Sequence, residues 1–171
     1  MKNKIKGNAG FTLIELLLVI AIIAILAGVI FVALDPLKRF QDSRNSRRWA
    51  QVEEVLNAIK INQIDTQGAY PATIAALPND TVYMISATST ATTTCNLNCG
   101  TVASTSACVD LSSLKTSGYL SAIPVSPSSA GLTPNWSSNY TGFTIKKSGA
   151  FITISACESE GTATTTIFAQ R

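Results

Sequence analysis

The chain contains no histidine among its 171 residues. This absence excludes Ser-His and Cys-His nucleophile systems and every metal centre built on imidazole. The sequence also lacks a glycine-rich phosphate loop. Glu158 and Glu160 are close in sequence, but the flanking Ser and Gly are typical of a turn and not of an acid–base pair. We therefore predict a protein that is not an enzyme and that needs no cofactor and no metal.

The chain has little net charge beyond its first residues. The formal charge of +3 is carried by Lys2, Lys4 and Lys6. The total of 13 basic residues falls to ten without these lysines and balances the ten acidic residues, all of which follow Phe11. The absence of net charge from Phe11 onward argues against a nucleic-acid-binding domain.

A long apolar stretch follows this basic start. Leu16 to Leu34 carries no charged or polar side chain, and its length is close to the ~20 residues that cross a bilayer. Glu15 lies just inside the stretch, where a charge costs roughly 2.5–3.5 kcal/mol on insertion scales. Such a carboxylate is expected to have a partner and a function.

A cleaved secretory signal is the first alternative for this segment. Glu15 would interrupt its apolar core, and the core is longer than the usual 7–15 residues. The candidate cleavage positions near Ala24 and Ala27 carry isoleucine where a small residue is needed. We therefore predict that the helix is retained.

The order of a basic leader, Gly10, Phe11, Glu15 and a long apolar helix resembles precursors of type IV pilins and pseudopilins. The resemblance implies that a prepilin peptidase cleaves between Gly10 and Phe11 and N-methylates Phe11. It also implies that Glu15 faces the N-terminal amine of a neighbouring subunit, each charge lowering the burial penalty of the other. The alternative is that Glu15 only complements the dipole at a helix start.

The helix is predicted to continue beyond the membrane as far as Ile64. Asp35-Pro36 is the expected interruption, and Gly28 and Pro36 are the weak points available to the filament helix. Gly68 and Pro71 are expected to end the helix. One apolar stripe is predicted from Leu37, Phe40, Trp49, Val52, Val55, Leu56 and Ile59. Residues 52–64 should lie against a globular head, whereas 41–48 should be solvated or contact neighbouring subunits.

The remaining residues predict a small β-sheet head. Strands are expected at Tyr140–Lys147, Phe151–Ala156 and Thr164–Ala169, with a hairpin turn after Lys147. Residues 81–106 hold 12 serine and threonine residues and should form loops and short edge strands.

The predicted fold class is α+β, a long N-terminal helix packed on an antiparallel sheet of three to four strands, as in the pilin fold. The expected divisions are a leader (1–10), a transmembrane or filament-core helix (11–34), an amphipathic continuation (35–64) and a loop-rich head (65–171).

Four cysteines, Cys95, Cys99, Cys108 and Cys157, favour two disulfides in an exported head. Three pairings are open. The short spacing of Cys95 and Cys99 permits a local loop that would leave Cys108 to pair with Cys157. The alternative is a zinc site, which would need all four thiolates as ligands. The four cysteines, however, lack the usual Cys-x2-Cys pairs.

A second resemblance lies at Tyr119–Pro127, which is similar to a region where some pseudopilins hold calcium with acidic and backbone oxygens. Ser126 stands where an aspartate is expected, and calcium needs carboxylates among its ligands. The resemblance therefore does not extend to a metal site.

These observations predict a structural subunit of a type IV pilus, polymerised through its N-terminal helix. The alternatives are a pseudopilin of a type II secretion-like system and a membrane-anchored adhesin that does not polymerise. The expected partners are further copies of the chain, the prepilin peptidase and the assembly machinery, without nucleic acid. The precursor should cross the inner membrane once with its N-terminus in the cytoplasm and become a periplasmic or extracellular filament. Five basic residues beyond the span, Lys38, Arg39, Arg44, Arg47 and Arg48, conflict with this orientation under the positive-inside rule.

Overall fold

The computed structural model describes residues 10–88, 95, 99, 101–102, 108–128, 135–161 and 166–171. The predicted leader therefore lies outside the described residues, apart from Gly10. The chain forms two compact units, Met1–Phe40 and Gln41–Arg171, and the boundary falls inside a helix. The helices are α1 (Leu13–Leu34), α2 (Pro36–Asp65), α3 (Ala72–Ala75) and α4 (Ser112–Thr116). The strands are β1 (Val82–Ser86), β2 (Cys108–Asp110), β3 (Phe143–Ser148), β4 (Phe151–Ala156) and β5 (Phe168–Gln170).

The break between α1 and α2 is at the predicted position. Asp35 adopts a left-handed conformation with φ 36°, and Pro36 begins the next helix. Proline is well tolerated at a first helical position, where its missing N–H would have no intrahelical acceptor. Gly28, the other predicted weak point, lies within α1.

The end of α2 also follows the sequence. Gly68 has φ 97° and donates its backbone N–H to the carbonyl of Gln63 at 2.7 Å. This bond closes the last turn, and glycine adopts the left-handed conformation without steric cost. The predicted stop at Gly68 is confirmed.

The sheet has five strands in the order β2-β1-β3-β4-β5. Its antiparallel part includes the predicted hairpin, in which Ser148 pairs with Phe151 across a two-residue turn. The predicted number of strands, three to four, was too low. The strands β1 and β2 were missed because they lie in or next to the hydroxyl-rich tract. They pair in parallel, and β1 lies between two neighbours with Met84, Ile85 and Ser86 buried. The sheet is therefore antiparallel, as predicted, except for the parallel pair of β1 and β2.

The core of the second unit lies between α2 and this sheet. From the helix it takes Val52, Val55, Leu56, Ala58 and Ile59, and from the sheet it takes Ile85, Val109, Phe143, Ile145, Ile152 and Ile154. The predicted α+β class, with a helix packed on a small sheet, is confirmed. The predicted apolar stripe packs on the sheet from Val52 to Ile59, whereas its earlier members Leu37, Phe40 and Trp49 are exposed, as is Ile64 at the helix end.

Candidate functional site: the N-terminal segment and the cysteine-linked head

The N-terminal segment begins with a reciprocal cap on α1. The Thr12 hydroxyl accepts a hydrogen bond from the backbone N–H of Glu15 at 3.3 Å. The Glu15 carboxylate in turn accepts from the Thr12 backbone N–H at 2.8 Å and from the Thr12 hydroxyl at 2.7 Å. This capping box satisfies donors that a helix start leaves without intrahelical partners. Glu15 thus caps the start of α1, and its side chain is exposed.

Helix α1 itself is apolar on every side. None of its 22 residues is buried within the structure. It is the one helix among the described residues that is long and apolar enough to cross a membrane. A helix of this composition needs either lipid or other helices around it, because water would contact apolar side chains over its whole surface.

The second unit contains a buried cation, Arg48, in the stretch 41–48 that was expected to be solvated or to contact neighbouring subunits. The Arg48 side chain has no exposed surface. Its guanidinium donates to the Ser126 hydroxyl at 3.1 Å and to the Pro127 carbonyl at 2.7 Å. It also donates to the carboxylates of Glu158 at 3.1 Å and Glu160 at 2.7 Å. Buried charges require paired and hydrogen-bonded surroundings of this kind.

A second pair of side chains extends this ion network along α2. Arg44 donates through Nε to both carboxylate oxygens of Glu160 at 2.8 Å, and this hydrogen bond to Glu160 raises the pKa of the Arg44 guanidinium. Asn45 donates to the Glu160 carbonyl at 2.8 Å and accepts from its backbone N–H at 3.0 Å. Two arginines therefore meet two glutamates, and the charges of the network balance.

This network corrects the prediction that residues 41–48 are solvated or contact neighbouring subunits, and it shows that Ser126 binds Arg48. Sequence periodicity marked the stretch as polar on all sides, but one side faces two carboxylates near the end of the chain. The oxygens of Ser126 and Pro127, which lie in the region similar to a calcium site, accept hydrogen bonds from Arg48. The oxygens of this segment are thus hydrogen-bonded to the Arg48 guanidinium.

A tryptophan ties the network to the sheet. The Trp136 indole N–H donates to Glu158 at 2.8 Å. The ring lies so close to Gly142 that an added Cβ there would come within 2.6 Å of it, and Gly142 has φ 79°. Only glycine fits both the space and the backbone conformation at this position.

The four cysteines form two disulfides, Cys95–Cys108 and Cys99–Cys157. The Cys95–Cys99 and Cys108–Cys157 pairings, which the sequence spacing permitted, do not form. The folded chain brings Cys99 to the end of β4, where Cys157 donates its N–H to the Gly142 carbonyl at 2.9 Å. Sulfur atoms joined in a disulfide cannot bind zinc as thiolates, so the two disulfides contradict the zinc alternative. Within the described ranges, no group of three or more His, Cys, Asp or Glu is arranged to hold a metal ion.

Comparison with known proteins finds a match in the N-terminal segment. Residues 5–31 match the family model for the prokaryotic N-terminal methylation motif. Neither a curated protein nor a solved structure matches the chain. The matched residues span Gly10, Phe11 and Glu15 and most of α1, and the motif is that of structural proteins processed by a peptidase for assembly. The chain therefore carries the prepilin-type methylation segment that marks precursors of type IV pilins and pseudopilins.

Proposed function

We propose that this protein is a non-enzymatic structural subunit of a type IV pilus, cleaved between Gly10 and Phe11, N-methylated on Phe11 and polymerised through α1. The observation that carries the proposal is the combination of the methylation motif with a helix that has no buried residue. Polymerisation supplies the neighbouring helices that this surface needs. Glu15 supplies a carboxylate for the amine of an adjacent subunit.

The ion network gives two of the basic residues after α1 a structural use in an exported, folded head. Two of the five basic residues that follow the span, Arg44 and Arg48, are paired with Glu158 and Glu160. Their charge is therefore balanced once the head folds, and Asp35 and Asp42 offset part of the remainder. Disulfides, which persist in oxidising compartments, favour the same orientation.

A pseudopilin of a secretion system is the second candidate, because it would carry the same N-terminal segment. The cysteine-linked head favours the pilus. So does the use of Ser126 to hold Arg48, where the similar pseudopilin region carries an acidic residue. A non-polymerising anchored adhesin would have no use for cleavage after Gly10.

Mass spectrometry of the mature protein and of sheared filaments tests the proposal. We expect a chain that begins with N-methylated Phe11 in both fractions. A mature chain that retains Met1, or that is absent from filaments, would overturn the proposal.

The matched variants are Gly10→Val and Gly28→Ala. An added Cβ meets no atom within 4 Å at either glycine, so neither change disturbs packing within the chain. Gly10→Val should block processing because it places bulk beside the scissile bond, whereas Gly28→Ala should be processed normally. Normal cleavage of Gly10→Val would contradict the assigned site.

A further inference from the structure

A pocket lies where the end of α2 and the turn that follows it meet α3 and α4. Its cavity volume of about 340 Å³ is at the lower end of the range of small-molecule sites. The pocket does not include the ion network or the disulfides. The residues that line it are Asn62, Thr66, Tyr70, Pro71, Ala72, Thr73, Ser113 and Ser117.

Two pairs of polar side chains, each spanning one helical turn, line the pocket. Thr66 directly follows α2 and donates its backbone N–H to the Asn62 carbonyl at 2.9 Å. At the end of α4, Ser117 donates in the same way to the Ser113 carbonyl at 2.9 Å. Residues four positions apart in a helical turn are neighbours on one side of it. Both pairs therefore border the same cavity.

Much of the hydrogen-bonding capacity of this lining is not used within the protein. The hydroxyls of Thr73, Ser113 and Ser117 form no hydrogen bond with the rest of the described chain. Within the described ranges, the buried Oδ1 atom of Asn62 has no hydrogen-bond partner either. Each hydroxyl can donate one hydrogen bond and accept others. A ligand with several hydroxyl groups of its own therefore matches this lining.

The lining has no formal charge. None of the described residues that border the pocket is acidic or basic. An anionic ligand would lose its water without gaining a cation, and a cationic ligand would find no carboxylate. The pocket therefore favours a neutral ligand.

The remaining wall of the pocket is largely apolar and consists of Tyr70, Pro71 and Ala72. The Tyr70 hydroxyl donates to the Ala150 carbonyl at 2.8 Å and accepts from Lys60 Nζ at 3.0 Å, so the ring is held in place. A wall that is already ordered loses little conformational freedom when a ligand binds. Sugar rings combine C–H surfaces, which suit such a wall, with hydroxyl groups around their rim.

We propose that this pocket binds one neutral sugar unit of a glycan. The sugar hydroxyls exchange hydrogen bonds with the hydroxyls of Thr73, Ser113 and Ser117, and one face of the sugar ring lies against the Tyr70–Ala72 wall. Sugar binding gives the head an adhesive activity in addition to its structural role.

This activity does not depend on polymerisation, because all the lining residues belong to one compact unit, Gln41–Arg171. Sugar binding can therefore be measured on the single subunit.

Titration of the isotope-labelled, full-length protein with free sugars tests the proposal. The protein is kept in a detergent without a sugar headgroup, and its amide NMR shifts are followed with glucose, galactose, mannose and N-acetylglucosamine. At least one of these sugars should give saturable shifts at Thr66, Thr73 and Ser113 with a millimolar dissociation constant. Glucuronate and galacturonate carry a carboxylate in place of one hydroxymethyl group and should bind about tenfold more weakly or worse. The absence of saturable shifts with every neutral sugar, or equal affinity for the two uronates, would overturn the proposal.

Matched variants distinguish the pocket from nonspecific contact with sugar. Thr73→Val/Ser113→Ala removes two hydroxyls from the lining and should weaken binding about tenfold, because two hydrogen bonds are lost. Ser117→Phe places a ring in the cavity and should abolish binding. The control is Thr116→Val, a change on α4 outside the lining, where the hydroxyl donates to the Ser113 carbonyl at 3.1 Å, and it should bind sugar like the wild type.

The unfolding midpoint of each variant shows that the variant is folded. Wild-type affinity in the folded double variant and in Ser117→Phe, or an equal loss of affinity in Thr116→Val, would overturn the assignment of the sugar to this pocket.

Discussion

Arg48 and Glu160 form an ion pair across 112 residues of sequence, with 2.7 Å between Nη2 and Oε1. The arginine is fully buried on α2, and the glutamate belongs to the segment that follows β4 and Cys157. Together with Glu158 and Arg44, this pair joins the helix to the part of the head held by a disulfide. The docking of α2 therefore depends on charge pairing as well as on the apolar core.

Glu160→Ala should destabilise the head strongly. Arg48 would stay buried with Glu158 as its remaining carboxylate, and breaking a buried pair from one side typically costs about 3–5 kcal/mol. The measurement is denaturant unfolding of the detergent-solubilised protein, followed by tryptophan fluorescence, to which Trp136, hydrogen-bonded to Glu158, contributes together with Trp49. Glu54→Ala, an exposed carboxylate on α2, is the control and should change the free energy of unfolding by less than about 0.5 kcal/mol. Equal effects of the two variants would show that the network contributes nothing to stability.

The two disulfides should contribute unequally to stability. Cys99–Cys157 closes a separation of 58 residues and Cys95–Cys108 one of 13. Loop-closure entropy assigns about 4 kcal/mol to the longer loop and about 3 kcal/mol to the shorter one. We expect Cys99→Ser/Cys157→Ser to have the lower unfolding midpoint of the two serine pairs. Non-reducing peptide mapping of the wild type should recover these two linkages, and recovery of Cys95–Cys99 would contradict the pairing.

Sequence patterns predicted the features that depend on local chemistry. The Asp35 break, the helix end at Gly68 and the strand Phe151–Ala156 each follow from residues within a few positions. The burial of Arg48 could not be predicted from neighbouring residues, because it depends on carboxylates that follow more than 100 positions later in the sequence. The apolar run Val82–Ser86 could have indicated β1, but the surrounding hydroxyl residues obscured it. The three-residue strand β2 has too little sequence to show a period, and it forms because β1 offers an edge.

Tyr119 should titrate above the ordinary range of tyrosine. Its pKa is raised mainly by its hydrogen bond to Asp65 and further by burial, since ionisation would lose the bond and place two anions together. A folded-state pKa above the unfolded value of about 10 gives stability that is fully present below about pH 10 and is lost as pH rises through the folded value. Asp65→Asn should lower the pKa of Tyr119, measured by phenolate absorbance against a Tyr119→Phe reference. An unchanged titration would show that Asp65 does not control this group.

The last prediction separates two roles of Glu15, the cap on α1 and the charge for assembly. Glu15→Ala removes both, whereas Glu15→Gln keeps an acceptor for the Thr12 N–H and removes only the charge. Either change should ease membrane insertion by a few kcal/mol at most, because a carboxylate is costly in hydrocarbon.

Assembly should respond in the opposite direction. Without a carboxylate at Glu15, the amine of Phe11 from a neighbour enters the filament core unpaired, at a cost of about 3–5 kcal/mol. If charge pairing is the assembly role, the yields of sheared filaments from Glu15→Gln and Glu15→Ala should both fall while the membrane level of subunit stays normal. If capping alone matters, Glu15→Gln should assemble like the wild type and only Glu15→Ala should fail. A loss of subunit from the membrane in both variants would instead assign Glu15 to insertion, because a cap and an inter-subunit charge pair act only after the helix is in the bilayer.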